Sequence, residues 1–179
     1  SSFGNQNGYA PFGTNGGGAV KFNGKNFTIY DQKSGLCNNS ISSIYQDKEG
    51  NIWVATYEGL NLLRKETIAS LLTDKPISLK RKLFETFHIK DGLPENIISQ
   101  IDVDPQGNII VGTTNGIAIL TKGSKSFEEE GGLEVYNAQN GYNFKEVLHL
   151  DTDTAGIIWI TTGSRKTGLV RFDRQALIQ

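Results

Sequence analysis

Three short apolar segments, each introduced by glycine, set the hydrophobic pattern of the chain. They are Gly50–Thr56, Gly107–Thr113 and Gly156–Thr162, and they align without a gap at intervals of 57 and 49 residues. Their central residues are apolar at consecutive positions, which predicts strands that are covered on both faces of a sheet. A fixed motif at an uneven interval predicts one structural unit, repeated along the chain with connections of different length.

A second part of the unit repeats at the same two intervals. Two apolar residues three positions apart, followed by glycine and another apolar residue, occur in Phe27–Leu36, Phe84–Leu93 and Leu133–Tyr142. Because this stretch lies far from the first motif, its agreement supports a true repeat. Each complete unit is therefore predicted to contain four short strands.

Two complete units and two partial units account for about thirteen predicted strands. In the complete units these are 41–46, 52–56, 60–64 and 84–89, then 97–103, 109–113, 117–120 and 133–137. In the partial units they are 19–22 and 27–30, then 147–151, 157–161 and 169–172. Residues 1–18 are predicted to be loop with one short strand near Phe12. Residues 67–72 fit either a short helix or an extension of a hairpin.

The connections between predicted strands have the chemistry of tight turns. Asp47–Asn51 and Asp104–Asn108 place an aspartate where its side chain can accept backbone N–H groups, and a glycine where φ must be positive. Asn23-Gly24 and Thr114–Gly116 are typical of two-residue hairpin turns. The strands are therefore expected to pair antiparallel.

Four-stranded antiparallel units with two buried faces, at a period near 50 residues, predict an all-β fold of the β-propeller type. The chain is predicted to be a propeller fragment with two complete and two partial blades. One propeller domain would contain an N-terminal loop and partial blade at 1–36, complete blades at 37–93 and 94–142, and a partial blade at 143–179.

Composition supports a soluble, turn-rich globular protein. The 179 residues are 37% hydrophobic and 21% charged, with 21 glycines and a net charge of −1. Basic residues are scattered, and Lys80–Lys82 is their densest run, so no nucleic-acid partner is expected. No apolar run approaches the roughly 20 residues that cross a bilayer, so no direct membrane insertion is expected. The lone Cys37 excludes an internal disulfide, and the absence of methionine suggests a segment of a longer polypeptide.

The first complete unit resembles the two-component regulator propeller repeat. The resemblance rests on Asn39-Ser40-Ile41, on Asp47-Lys48-Glu49-Gly50-Asn51-Ile52-Trp53-Val54-Ala55-Thr56, and on Gly59-Leu60. The later copies depart from the pattern at Ile110, where the repeat has tryptophan, and at Ile157, where it has asparagine. The resemblance implies a seven-bladed ring in the periplasmic sensor region of a membrane-bound hybrid histidine kinase, a group in which many members respond to glycan-derived ligands.

The leading hypothesis is therefore a non-catalytic, ligand-sensing segment of a two-component sensor ectodomain, with any histidine kinase outside these residues. Its expected partners are an oligosaccharide or other small ligand, and either the remaining blades of the propeller or a second copy of the chain. The alternative is a scaffold or secretion-associated propeller that mediates protein–protein interaction. A propeller lyase or glycosidase would need paired acidic groups or a histidine-centred site, and the repeats offer neither.

Several possible sites have simpler structural interpretations. Asp102–Thr113 and Asp151–Thr162 imitate the start of a calcium loop but lack its later ligands, so capped hairpin turns are favoured. No metal site and no cofactor are expected. Trp53 and Trp159 occupy one repeat position, which favours a core between blades over a binding platform. His88 is expected to be solvated.

Candidate ligand contacts lie where loops should emerge together. In a four-stranded blade, the connection into the inner strand and the turn between the second and third strands reach the same end. Aromatic, amide and charged side chains there would suit a polar sugar, although ordinary solvated loops are the alternative. His149 is added because it lies on an inner strand and could face the channel. The candidate ligand-binding residues are Tyr57, Glu58, Asn96, Asn115, Asn143, His149 and Arg165.

Overall fold

A computed structural model describes residues 10–22, 24–71, 82–122, 132–142, 145–163 and 168–177 of the chain. These residues contain fourteen strands, one α-helix and four short 3-10 turns. The chain divides into two compact units, Ser1–Phe87 and His88–Gln179.

Unit 1, Ser1–Phe87, holds two antiparallel sheets. The three-stranded sheet has the order β1-β2-β3 and the four-stranded sheet has the order β4-β5-β6-β7. A helix, α1, follows β6. The elements are β1 (Ala10–Gly13), β2 (Ala19–Phe22), β3 (Phe27–Tyr30), β4 (Ile41–Gln46), β5 (Ile52–Thr56), β6 (Gly59–Leu63), α1 (Lys65–Leu71) and β7 (Glu85–Phe87).

The core of unit 1 lies between these two sheets. Apolar side chains from one face of the β4–β7 sheet pack with residues of β2 and of the segments before β4 and β7. All are less than 9% exposed, and Tyr30 and Ile68 pack at the edge of the cluster. The members are Ala19, Leu36, Ile44, Val54, Leu63, Leu83 and Phe84.

Unit 2, His88–Gln179, repeats the same plan with a four-stranded and a three-stranded sheet. The orders are β11-β10-β9-β8 and β12-β13-β14, and all pairs are antiparallel. The elements are β8 (Ile98–Val103), β9 (Ile109–Thr113), β10 (Gly116–Leu120), β11 (Leu133–Tyr136), β12 (Val147–Thr152), β13 (Ile158–Thr162) and β14 (Leu169–Phe172).

The core of unit 2 fills the space between its two sheets. Ile110, Ile117 and Ile119 of the first sheet pack against five residues of the second, and six of the eight are at most 1% exposed. The residues from the second sheet are Val147, Leu150, Ile158, Ile160 and Phe172. Burial on this scale is the main source of stability for a small β unit.

The predicted fold is confirmed: the chain is a β-propeller fragment built from antiparallel sheets of three or four strands. The short strand expected near Phe12 is β1. The undecided segment near Thr67 is helical over Lys65–Leu71, and Leu72 lies outside the described residues.

The aspartate turns form as predicted. The carboxylate of Asp47 accepts the backbone N–H of Asn51 at 2.8 Å, and Asp104 does the same for Asn108 at 2.8 Å. The glycines of these turns, Gly50 and Gly107, have φ values of 92° and 93°. Such left-handed backbone is favourable for glycine, which has no Cβ to clash. Each turn fixes the register between the two strands that it connects.

The asparagine of the repeat joins the two open ends of the hairpin formed by the second and third strands of each four-stranded sheet. The side-chain oxygen of Asn51 accepts the N–H of Lys65 at 3.0 Å, and Asn108 accepts the N–H of Lys122 at 2.9 Å. Both asparagines therefore tie the end of the third strand to the start of the second. Ile157, at the same position of the last copy, has no side-chain oxygen for this role.

Candidate ligand-binding loops

Three loops of unit 1 meet at one end of its sheets. The N–H of Tyr57, in the turn between β5 and β6, donates to the carbonyl of Ser40 at 3.3 Å. The carbonyl of Asn39 accepts from Gly16 at 3.2 Å and from Gly18 at 2.9 Å. These bonds bring together residues 14–18, 38–40 and 56–59, which we call the unit 1 loop cluster.

Tyr57 and Glu58 form the tip of this cluster. The hydroxyl of Thr56 accepts the N–H of Glu58 at 3.2 Å and donates to the carbonyl of Gly59 at 2.8 Å. The buried side chain of Thr56 therefore stabilises the turn. Tyr57 is 53% exposed, and Glu58 is also exposed. A rigid turn thus presents an aromatic ring beside a carboxylate.

Unit 2 has the equivalent arrangement. The N–H of Thr114, in the turn between β9 and β10, donates to the carbonyl of Ile97 at 3.3 Å. The carbonyl of Thr114 accepts the N–H of Glu146 at 3.0 Å, and the carbonyl of Glu146 accepts from Gly163 at 2.9 Å. Residues 94–97, 113–116, 146 and 163 form the unit 2 loop cluster.

Two predicted residues, Asn96 and Asn115, lie in this cluster. The amide of Asn115 donates to the carbonyl of Pro94 at 3.2 Å, which joins two of its loops. The side-chain oxygen of Asn96 accepts the N–H of Ile89 at 2.9 Å, just as Asn39 accepts from Gln32 in unit 1 at 2.9 Å. Both predicted residues therefore hold the loops in place, whatever else they bind.

Glu146 is a loop residue that the sequence prediction missed. Among the described residues it is the only one other than glycine with positive φ, at 52°. Its side chain is exposed and lies against Gly163, where an added Cβ would come within 2.6 Å of the Glu146 carboxylate. A non-glycine residue in this conformation costs on the order of 1 kcal/mol, and such strain is concentrated at functional sites. Glu146 corresponds to Ser40 and Ile97 in the other copies of the repeat. The only sequence signal was therefore a carboxylate at a loop position that varies between the copies.

His149 is not brought into these clusters. His149 lies on β12, exposed on the outer face of the β12–β14 sheet. Asn143 and Arg165 lie outside the described residues. His88, expected to be solvated, is partly buried and holds its Nδ1 3.6 Å from the carboxylate of Asp91.

The two tryptophans make the same local hydrogen bond. The indole N–H of Trp53 donates to Asp47 at 2.9 Å, and that of Trp159 donates to Asp153 at 3.1 Å. This donation, followed by the backbone N–H of Ile157, lowers the pKa of Asp153 below its usual value. Trp53 is 5% exposed, as expected for a core residue, whereas Trp159 is 38% exposed.

A charged cluster lies at the outer edge of unit 2, away from the loop cluster in sequence. The guanidinium of Arg174 donates to Glu134 through two nitrogens, one at 2.8 Å, and lies 3.9 Å from the carboxylate of Asp104. The hydroxyl of Tyr136 also donates to Glu134. Donation from Arg174 lowers the pKa of Glu134, while burial and the hydrogen bond to Glu134 raise the pKa of Tyr136 to about 12.

We expect Tyr136→Phe to reduce the loss of stability above pH 10. Because the folded pKa of Tyr136 is above its unfolded value, the associated stabilisation is complete below pH 10 and is lost as pH rises towards about 12. At pH 8 the free energy of unfolding of the variant should be about 1 kcal/mol lower than that of the wild type, since the variant loses one hydrogen bond. Between pH 10 and pH 12 the variant should lose less stability than the wild type. Urea unfolding at pH 8, pH 10 and pH 12 measures the free energy of unfolding, with Tyr57→Phe as control. Equal losses of stability between pH 10 and pH 12 in the wild type and in Tyr136→Phe would contradict this prediction.

Each loop cluster has the chemistry of a small polar-ligand surface. The ring of Tyr57 can stack on a sugar face, and the carboxylates of Glu58 and Glu146 and the amide of Asn115 can bond to hydroxyl groups. Among the described residues, no group of three or more His, Cys, Asp and Glu side chains could hold a metal ion.

The model of a known protein family matches part of this chain. The model of the two-component regulator propeller family matches the stretch that contains the first aspartate turn and β5. The match covers residues 35–58. No curated protein matches the chain in sequence. In the part of the chain that is described, no helix has the length and apolar composition to span a membrane.

Two solved structures are similar in fold to almost the whole chain. A protein described as the extracellular domain of a hybrid two-component system, BT3049 from B. thetaiotaomicron, matches 99% of this chain with a TM-score of 0.73 and 25% identity. The corresponding domain of BT4673 from the same organism matches 96% of the chain with a TM-score of 0.68 and 17% identity. The chain spans only 22% and 24% of these two structures.

The fold itself also occurs in an enzyme. Virginiamycin B lyase from Staphylococcus aureus matches 97% of the chain with a TM-score of 0.66, and the chain spans 52% of it. The identity is only 11%, so this similarity concerns the fold alone.

Proposed function

We propose that this two-component regulator propeller segment is a ligand-sensing part of a periplasmic sensor ectodomain, and that it acts by binding and not by catalysis. The observation that carries the proposal is the similarity to the BT3049 extracellular domain, which extends over 99% of the chain at 25% identity. Because the chain spans 22% of that structure, the activity of the whole protein is part of the proposal.

Each loop cluster is proposed as a ligand contact in its own unit. In unit 1, Tyr57 and Glu58 would supply a stacking ring and a carboxylate. In unit 2, Asn115 and Glu146 would supply polar groups. Asn143 and Arg165 belong to the same loops in sequence and stay candidates. The proposed ligand is a glycan-derived oligosaccharide, since its hydroxyl groups and apolar ring faces suit this mixture of side chains.

Signalling would follow from differential binding. A ligand that contacts the loops more tightly in one arrangement of the blades shifts the population towards that arrangement. The free-energy difference passes to whatever domain is linked to the propeller, by an amount no larger than the difference in affinity.

We expect titration of the protein with a panel of oligosaccharides to reveal a ligand whose affinity depends on the unit 1 loop cluster. Tyr57→Ala should weaken binding about fivefold, since an aromatic stacking contact contributes on the order of 1 kcal/mol. Lys48→Ala, in the exposed turn between β4 and β5, should bind like the wild type. Calorimetry measures both affinities.

No binding across the panel would refute the choice of a glycan ligand. Binding that Tyr57→Ala and Glu58→Gln leave unchanged would refute the role of the unit 1 loop cluster. Circular dichroism of each variant distinguishes a lost contact from a lost fold.

A further inference from the structure

The unit 1 loop cluster uses most of its polar side chains to hold its own loops together. The hydroxyl of Thr14 donates to the carbonyl of Gly18 at 2.7 Å. The hydroxyl of Ser40 donates to the side-chain oxygen of Asn15 at 3.3 Å, and the N–H of Ser40 donates to that of Asn38 at 2.7 Å. Each such bond occupies a group that a ligand could otherwise contact. The polar side chains that bond in this way within unit 1 are Thr14, Asn15, Asn38, Asn39, Ser40 and Thr56.

Two polar side chains of the cluster take no part in this network. Among the described residues, the side chains of Tyr57 and Glu58 have no hydrogen-bond or ion-pair partner. Both side chains are exposed. They occupy neighbouring positions of one turn, which the buried side chain of Thr56 stabilises. The chemistry that this cluster offers to a ligand is therefore an aromatic ring and a carboxylate.

The equivalent turn of unit 2 carries no such pair. The turn between β9 and β10 places Thr114 and Asn115 at the positions of Tyr57 and Glu58. The amide of Asn115 donates to the carbonyl of Pro94, so in unit 2 this side chain stabilises the loops. The repeat therefore forms this turn without a ring or a carboxylate, and the fold does not explain why unit 1 has both.

The charge of the unit 1 loop cluster distinguishes between classes of ligand. Glu58 is the only charged residue in positions 14–18, 38–40 and 56–59, all of which lie in the described part of the chain. An anionic ligand would place like charges together, which is unfavourable. A neutral ligand would only exchange its hydroxyl groups for water at the carboxylate. A cationic ligand would form a charge-assisted hydrogen bond, which is about twice as strong as a neutral one.

The ring of Tyr57 favours the same ligand charge. A cation over the face of an aromatic ring is attracted by the negative charge of that face. A ring and a carboxylate at neighbouring positions of a turn can therefore both contact one ammonium group. Because internal hydrogen bonds already order this turn, little loop entropy is lost when a ligand binds.

We propose that the unit 1 loop cluster binds an amino sugar through its ammonium group. The carboxylate of Glu58 accepts a hydrogen bond from the ammonium, and the ring of Tyr57 packs against the cation. This specificity rests on the proposed function, which supplies the sugar part of the ligand. Glu58 is then the residue that distinguishes a free amine from a hydroxyl or an acetamide at the same position of the sugar ring.

Calorimetric titration of the protein with three β-1,4-linked tetrasaccharides tests this specificity at about pH 6, where such an amine is protonated. The tetramer of glucosamine carries an ammonium where cellotetraose carries a hydroxyl and the tetramer of N-acetylglucosamine an acetamide. We expect the glucosamine tetramer to bind about fivefold more tightly than either. Glu58→Gln should reduce this ratio to about one. Tyr57→Phe, which keeps the ring, and Glu66→Gln, which removes a charge from an exposed position of α1, should both preserve the ratio.

Equal affinities for the three tetrasaccharides would overturn the proposal, as would a preference for the amine that Glu58→Gln leaves intact. Absence of binding by the glucosamine tetramer would overturn it too. If tetralysine binds as tightly as that tetramer, the choice of a sugar is wrong. A neutral oligosaccharide that binds to the unit 1 loop cluster without any preference for an amine would contradict this specificity and leave the proposed function intact, so the two failures are distinct.

Discussion

Gly116→Ala is expected to destabilise unit 2 by about 3 kcal/mol. Gly116 begins β10 and has a φ of 104°, which an alanine adopts only at a cost of about 1 kcal/mol. In addition, a Cβ at this position would lie 2.3 Å from the carbonyl oxygen of Tyr136 and 3.1 Å from the Cα of Asn137. Backbone atoms of the neighbouring strand cannot move without breaking the pairing of β10 and β11, so overpacking adds about 1–3 kcal/mol.

Gly141→Ala separates these two causes. Gly141 has nearly the same φ, 97°, but no atom of the described residues lies within 4 Å of its Cβ position. We expect a loss of about 1 kcal/mol there, from backbone strain alone. Urea unfolding of both variants measures the difference. Equal losses in the two variants would show that the close approach at Gly116 relaxes at no cost.

The fold could be predicted because its determinants are local. Aspartates at positions 47, 104 and 153, each followed three residues later by glycine, specify turns. The hydrogen bonds of these turns join residues that are close in sequence. The repeat interval then identifies the strands between them. One strand end differs from the prediction: β7 is Glu85–Phe87, shorter than the predicted 84–89, because His88 already caps a 3-10 turn.

Long-range features could not be predicted in the same way. Glu85 and Glu134 occupy one repeat position, yet Glu85 pairs with Arg64 of its own sheet, while Glu134 pairs with Arg174 beyond the next sheet. Nothing in the sequence distinguishes the two partners. The strain at Glu146 also depends on contacts with Thr114 and Gly163 that only the folded chain brings together.

The candidate site was predicted more by geometry than by residue type. The rule that two kinds of loop emerge at one end of a blade agrees with both loop clusters, through the bonds from Tyr57 to Ser40 and from Thr114 to Ile97. It could not show that the oxygen of Asn96 is already used inside the loop, or that His149 lies on a sheet face. Whether the named residues contact a ligand stays a prediction.

Leu150→Ala is expected to destabilise unit 2 by about 2–5 kcal/mol, the range for a leucine removed from a packed core. Leu150 is 0% exposed, packs with Ile110 and Ile160, and fills the space above Gly112, where an added Cβ would come within 2.7 Å of it. Leu148→Ala, two residues earlier on β12 but 62% exposed, should change the free energy of unfolding by less than about 0.5 kcal/mol in the 179-residue chain. Urea unfolding compares the two, and similar losses would mean that the core between the two sheets of unit 2 does not stabilise the chain.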